Sequence, residues 1–215
     1  MNNFIEIPAS KISLTRRKLV FGVGINDAYY MVSPRINGKK GCCPFYRSWH
    51  SMLKRCYYPK YQQKSPTYIG CSVIKEWLLF SVFKDWMIKQ DWKGKHLDKD
   101  IKNIGNRVYS PDTCLFVSSK VNNLLCDNAA RRNQCPIGVS FHKPANKFQA
   151  HCRHNGKSIN LGYHDTQESA HGAYIKYKYK VILEAAALPE NLYIQQYLIN
   201  HADNLNNLRK DCSRD

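Results

Sequence analysis

The sequence has few acidic residues and no long hydrophobic run. The absence of a long hydrophobic run excludes a protein with membrane-spanning helices. Its longest apolar stretches, such as residues 77–80, are far shorter than the roughly 20 residues needed to cross a bilayer. Residues 1–20 also hold no hydrophobic segment typical of a signal peptide. We therefore expect a cytoplasmic protein with no membrane partner.

The cysteines lack the spacing of a common zinc site. None of the nine is paired as Cys-x-x-Cys, and no His-x-x-x-His pair lies nearby. An odd, scattered set in a chain without a secretion signal is typical of reduced thiols that behave as small apolar residues. We expect neither zinc nor disulfides.

Positive charge is abundant where negative charge is scarce. The 215 residues include 33 Lys and Arg against 16 Asp and Glu, a formal charge of +17. The net charge is +12 over residues 1–130 (21 basic, 9 acidic), +7 over 131–182 (9 and 2) and −2 over 183–215 (3 and 5). This distribution favours a nucleic-acid partner contacted by two surfaces, the alternative being an ordinary solvated basic surface.

The N-terminal half predicts two helices. Apolar residues recur at helical spacing from Phe45 to a stop before Pro59, and a broader apolar set runs from Ile74 to Met87. The three tryptophans between residues 77 and 92 are better explained as core than as platforms for base stacking.

The next segment predicts a β-β-α order. Residues 107–109 and 114–117 have strand character, and Ser118 or Ser119 can cap a helix that continues to Leu125. Residues 127–136 lack periodicity and include Arg131 and Arg132, so we expect a linker there.

The C-terminal part predicts three strands and a helix. The strands cover residues 138–142, 147–153 and 157–163, and Asn155-Gly156 is a strong hairpin signal between the last two. Thr166 is a helix cap, and Leu188-Pro189 closes that helix.

The polar residues of the second strand alternate with apolar ones, so they share one face of the sheet. Side chains of these types contact phosphates and base edges, and a small twisted sheet fits the major groove. An ordinary solvated face is the alternative. The candidate DNA-binding residues here and in the linker are Lys143, Lys147, Gln149, His151, Arg153, Lys157, Ser158, Asn160, Arg131 and Arg132.

Residues 136–184 resemble the Apetala-type (plant ethylene-response-factor) DNA-binding domain. The resemblance rests on Gly138-Val, the basic and polar strands, Leu161-Gly-Tyr163, and the helix that begins Thr166-Gln-Glu-Ser-Ala-His-Gly-Ala-Tyr174. It implies a sheet that lies in the DNA major groove with the helix packed behind it.

The preceding region resembles the HNH nucleases of phage homing-endonuclease type. The resemblance rests on Cys43-Pro-Phe-Tyr-Arg-Ser-Trp49, Met52-Leu-Lys-Arg-Cys-Tyr57, Pro66-Thr-Tyr-Ile-Gly-Cys-Ser72, Glu76-Trp-Leu78, Leu97-Asp-Lys-Asp100 and Tyr109-Ser-Pro-Asp-Thr-Cys114. It implies metal-assisted phosphodiester hydrolysis with one Mg²⁺ or Mn²⁺, in a bacterial cytoplasm.

The resemblance assigns the catalytic residues only in part. Asp98 matches the acidic metal ligand or, in a register shifted by one, replaces the family's general-base histidine. In the first register Lys99 takes the place of that histidine and is a candidate catalytic residue that steadies the phosphate or positions a water. Asn122 matches the metal ligand on the helix, Asp100 is an auxiliary ligand, and Thr113 occupies the place of the family's mid-motif asparagine. His96, two residues before Asp98 on the same strand face, is a substitute base or an ordinary surface histidine.

The sequence therefore predicts an α+β protein. An HNH-like ββα-metal domain with surrounding helices (residues 1–126, ββα core about 95–126) precedes a linker (127–136), an Apetala-type domain (137–188) and a tail (189–215). Three functions are open: a DNA endonuclease, a DNA-binding regulator or inhibitor with a degenerate HNH segment, and an RNA-binding protein that uses Phe141, Phe148 and Tyr163. A working metal site requires carboxylates that are not paired with Lys99, which separates the first two.

Overall fold

The structure is a computed structural model that describes residues 4–36, 38–126 and 135–211, with only the backbone described at 36 and 208–211. The chain is mixed helix and strand. The helices are α1 (Lys11–Thr15), α2 (Pro44–Tyr57), α3 (Pro59–Lys64), α4 (Phe80–Ile88), α5 (Ser119–Leu125), α6 (Gln167–Ala186) and α7 (Gln195–Asp211). The strands are β1 (Arg35–Ile36), β2 (Lys39–Lys40), β3 (Ser72–Val73), β4 (His96–Asp98), β5 (Val108–Tyr109), β6 (Leu115–Val117), β7 (Val139–His142), β8 (Lys147–His154) and β9 (Lys157–His164).

Internal contacts divide the chain into two compact units, residues 1–119 and 120–215. Helix α5 spans the point of division. Within the described residues, every helix is too short or too polar to cross a bilayer.

The core of the first unit is aromatic. Trp49 of α2 and Trp77 are fully buried, and the Trp49 indole Nε1 donates a hydrogen bond of 2.7 Å to the Trp77 carbonyl. Trp86 and Trp92 pack against this core. The prediction that the tryptophans are core residues is confirmed, since an indole N–H needs a partner when it is buried.

The second predicted helix is interrupted. A 3₁₀ turn over Lys75–Leu78 is followed by Leu79 in an extended conformation, and only then does α4 begin. Leu78 and Phe80 exchange backbone hydrogen bonds with Ile25, which is distant in sequence. A continuous helix could not make this pairing, so tertiary contact overrides the local pattern.

The strands β3 to β6 are short and form two separate two-stranded sheets. Strand β4 pairs with β6 antiparallel, whereas β5 pairs with β3 in parallel. The predicted β-β-α order along the chain is confirmed by β5, β6 and α5. The antiparallel partner of β6 is β4, which lies before β5 in the sequence.

In the second unit, β7, β8 and β9 form the predicted three-stranded antiparallel sheet. Asn155 and Gly156, both at positive φ, form the turn between β8 and β9. Thr166 caps α6 by accepting a hydrogen bond from the Ser169 N–H. These local signals therefore predicted the right elements.

One face of this sheet packs on α6. Ala150 and Cys152 of β8 are buried against Ala170 and Tyr174 of the helix. The segment expected to form a tail contains α7, whose buried Leu198 lies one turn from buried Ala202. The core of this unit thus extends beyond the sheet and α6.

Candidate nucleic-acid interface

The sheet presents its polar side chains on the face away from α6, which we name the outer face. Five pairs of residues lie directly opposite each other on this face. They are Ser140 with Gln149, His142 with Lys147, Gln149 with Tyr163, His151 with Asn160, and Arg153 with Ser158. Directly paired residues project on the same side of a sheet, so these nine residues define the outer face. Six of the candidate DNA-binding residues lie on it: Lys147, Gln149, His151, Arg153, Ser158 and Asn160.

Four outer-face side chains have no partner within the described part of the chain. The structure gives no side-chain hydrogen bond or ion pair to Gln149, His151, Arg153 or Ser158. Arg153 and Ser158, which face each other across β8 and β9, are exposed. Their donors and acceptors are therefore available to an external partner.

Two other predicted residues on this face are engaged internally. The Lys147 ammonium lies 3.1 Å from an Asp165 carboxylate oxygen, and both side chains are exposed, so water and salt weaken this pair. The Asn160 side-chain oxygen accepts the Gly162 N–H at 3.0 Å. Asn160 thus shapes the neighbouring backbone.

Lys157 departs from the prediction. The register pairs it with His154, whose ring hydrogen-bonds to the Tyr177 hydroxyl of α6. Lys157 therefore belongs to the helix-facing alternation of β9 and does not share the outer face with the other candidate residues of the sheet. It is exposed at the end of the hairpin.

A bulge brings an aromatic ring to the outer face. Between the pairs Gln149–Tyr163 and His151–Asn160, two residues of β9 oppose one residue of β8, and Gly162 takes φ +106. Because β9 contains this extra residue, Tyr163 projects from the outer face. The centroid of its ring lies 4.9 Å from that of His142. Sequence reasoning missed Ser140 and His142, although alternation along β7 signals both. It named Tyr163 only as a candidate RNA contact and did not place it on the outer face.

The other candidate contacts lie outside the strands. Lys143 is exposed in a 3₁₀ turn between β7 and β8. Arg131 and Arg132 lie outside the described residues. The three aromatic residues predicted to contact RNA differ in exposure. Phe148 packs inward, whereas Phe141 and Tyr163 are about half exposed.

In the first unit, Asp98 at the end of β4 holds a turn. One of its carboxylate oxygens accepts the backbone N–H groups of Asp100 and Ile101, at 2.7 and 2.8 Å. Side chains of Asp commonly stabilise turns in this way. This oxygen of Asp98 is therefore committed to the backbone.

Lys99 is a buried cation in the same turn. Its side chain is 6% exposed, and its ammonium lies 2.5 Å from an Asp100 carboxylate oxygen and 2.6 Å from the Asn106 carbonyl oxygen. A buried ammonium is tolerated when it is paired and hydrogen-bonded in this way. Lys99 therefore has the surroundings of a structural residue.

Asn106 closes the loop that follows, and sequence reasoning missed its role. Its side-chain nitrogen donates to the carbonyls of Lys99 at 2.9 Å and Val108 at 2.7 Å. The Thr113 hydroxyl also donates to the Val108 carbonyl, at 2.7 Å. The dipeptide Gly105-Asn106 is typical of a turn, but it does not indicate these side-chain hydrogen bonds.

The two remaining predicted residues of the HNH segment, the base His96 and the metal ligand Asn122, belong to different units. His96 is exposed on β4, and its Nε2 lies 2.9 Å from the Ser119 hydroxyl oxygen. Asn122 belongs to the second unit, where its side-chain nitrogen lies 3.8 Å from the Cys126 sulfur.

The predicted metal ligands of the first unit are partly engaged within the protein. One Asp98 oxygen accepts two backbone N–H groups, and one Asp100 oxygen lies against the Lys99 ammonium. Among residues 4–36, 38–126 and 135–211, no three His, Cys, Asp or Glu residues form a cluster that could hold a metal.

Comparison with known proteins adds no relative. No protein-family model, no curated protein and no solved structure matches the chain.

Proposed function

We propose that the protein binds double-stranded DNA sequence-specifically through the outer face of β7–β9. The observation that carries this proposal is that Gln149, His151, Arg153 and Ser158 share one sheet face and have no side-chain partner within the described residues. The bulk charge of +17 supplies attraction to a polyanion, whereas this group supplies hydrogen-bonding specificity.

The chemistry of the outer face matches the major groove. Arg153 can make a bidentate contact to guanine, and Gln149 can make one to adenine. Residues an even number of positions apart on a strand project from the same face, and these two lie four positions apart on β8. At about 3.3 Å per residue, they are about 13 Å apart along the strand. Ser158 on β9 adds a short donor and acceptor beside Arg153.

In this proposal the 96–126 segment is a scaffold and the protein acts as a regulator or as an inhibitor of another DNA-acting protein. The ion pair between Lys99 and Asp100 supports this choice. A carboxylate oxygen and a carbonyl oxygen both contact the Lys99 ammonium, so this group is engaged within the protein.

The test is selection of duplexes from a random library by the intact chain and by Arg153→Ala. Loss of one bidentate contact weakens specific binding by about 1–3 kcal/mol, so we expect the variant to lose preference at one base position. Lys176→Ala, which removes an exposed cation from α6, is the matched control and should select the same site. An identical site for Arg153→Ala would contradict the proposal.

A metal-dependent DNA endonuclease is the second candidate. The observation in its favour is the β4, β6, α5 order, with His96 and Asp98 on the same side of β4. This order matches the HNH resemblance, which would assign Mg²⁺ or Mn²⁺ to the protein.

A plasmid-nicking assay with Mg²⁺ or Mn²⁺ separates the two candidates. We expect no nicking by the intact chain above an EDTA control. Metal-dependent nicking that Asp98→Ala abolishes would replace the scaffold proposal with the endonuclease.

A further inference from the structure

We propose that the β1–β2 hairpin is a second DNA contact, a cationic arm that grips the phosphate backbone. The arm is defined by Arg35, Lys39 and Lys40, all exposed. The inference rests on the proposed function, because the partner of the arm is the same DNA duplex. It adds a second contact site, which lies in the first unit.

The base of the arm is fixed to the core. The Gly41 N–H donates to the Pro34 carbonyl and the Cys43 N–H donates to the Val32 carbonyl, both at 2.8 Å. Pro34 and Cys43 are buried. The three cations beyond this base are therefore carried on an anchored ribbon.

The pairing within the arm is unfavourable for the protein alone. Arg35 lies directly opposite Lys40, where side chains come within about 5 Å. Like charges in that position are destabilising, and none of the three cations has an ion pair within the described chain. A phosphodiester placed between Arg35 and Lys40 would convert this repulsion into attraction.

The sequence around the arm contains no acidic residue. Residues 28–75 contain nine Lys and Arg and no Asp or Glu. Two other cations of the first unit form hydrogen bonds within the protein. Arg17 donates to the carbonyls of Asn26, Ala28 and Tyr30, and Arg55 donates to the Leu97 carbonyl. The arm differs because its cations point to solvent.

The decisive experiment measures the salt dependence of duplex binding for Arg35→Gln/Lys39→Gln/Lys40→Gln. Each phosphate contact contributes about 0.9 to the slope of log affinity against log salt. We expect the slope to become shallower by about 2 to 3, with an unchanged selected site and an unchanged or higher melting temperature. Lys60→Gln/Lys64→Gln/Lys75→Gln removes the same charge from exposed positions of the same unit and should leave the slope nearly unchanged.

Three results would overturn the arm while the proposed function stands: an unchanged slope, an equal change in both triple variants, or a larger loss for single-stranded RNA than for duplex. A lower melting temperature would indicate a structural role for the cations and would also overturn it. If the intact chain binds no duplex at low salt, both the arm and the proposed function fail.

Discussion

The outer face of β7–β9 and the turn after β4 both concentrate polar and charged side chains, but they use them in opposite ways. In the turn, Lys99, Asp98 and Asn106 satisfy one another and the local backbone. On the outer face, Arg153 and Gln149 have no partner in the described chain. Polar groups that are satisfied internally stabilise a fold, whereas exposed unpaired ones on a rigid sheet are available for recognition.

The most destabilising substitution is expected at Gly138, behind the sheet. Gly138 has φ +78, and a Cβ there would lie 2.1 Å from the Tyr174 ring. Overpacking and a left-handed non-glycine residue together destabilise by about 2–5 kcal/mol. We therefore expect Gly138→Ala to lower the melting temperature in calorimetry and to weaken sequence-specific binding.

Gly172 provides the matched control for this prediction. It lies in α6 with nothing within 4 Å of an added Cβ, so Gly172→Ala should stabilise by about 0.5–1 kcal/mol. Equal melting behaviour of the two alanine variants would contradict the packing assigned to Gly138.

A smaller effect tests whether the β4 turn is a scaffold. Lys99→Met leaves the Asn106 carbonyl without its ammonium donor, while the half-exposed Asp100 carboxylate can turn to water. We expect the free energy of unfolding to fall by about 1–3 kcal/mol in urea, with the selected DNA site unchanged. Lys93→Met, at an exposed position, should have almost no effect, and similar stability for both variants would rule out a structural role for Lys99.

The smallest effect concerns pH. Burial lowers the pKa of His50, and the ammonium of Lys54 lowers it further. Between that lowered value and about 6.5, the unfolded chain binds more protons than the folded chain, so stability rises with pH across this window. Melting temperatures at pH 5.5 and 7.5 should differ less in His50→Gln than in the intact chain, and an equal difference would contradict the assignment.

Local signals explain which elements the sequence predicted well. Alternation in β8, the Asn155-Gly156 turn and the Thr166 cap each act over a few residues. The outer face could therefore be identified without a structure, apart from Tyr163, whose position depends on the bulge at Gly162.

Contacts between distant residues explain what the sequence did not predict. The break at Leu79 depends on pairing with Ile25, and strand β5 joins β3 instead of its sequence neighbour β6. The Lys99 contacts are instead local, to Asp100 and Asn106, but the sequence does not show that the loop folds back to bring both to the buried ammonium. No local pattern at residue 99 distinguishes this arrangement from a catalytic one.

Recognition by the outer face can be measured by titrating the selected duplex and an unrelated duplex with Gln149→Ala/Arg153→Ala. Two lost bidentate contacts amount to about 2–6 kcal/mol, so the affinity ratio between the two duplexes should fall at least about 30-fold. Lys176→Ala, which changes the net charge by the same amount, should keep the ratio. A double variant that retains the ratio of the intact chain would contradict recognition by the outer face.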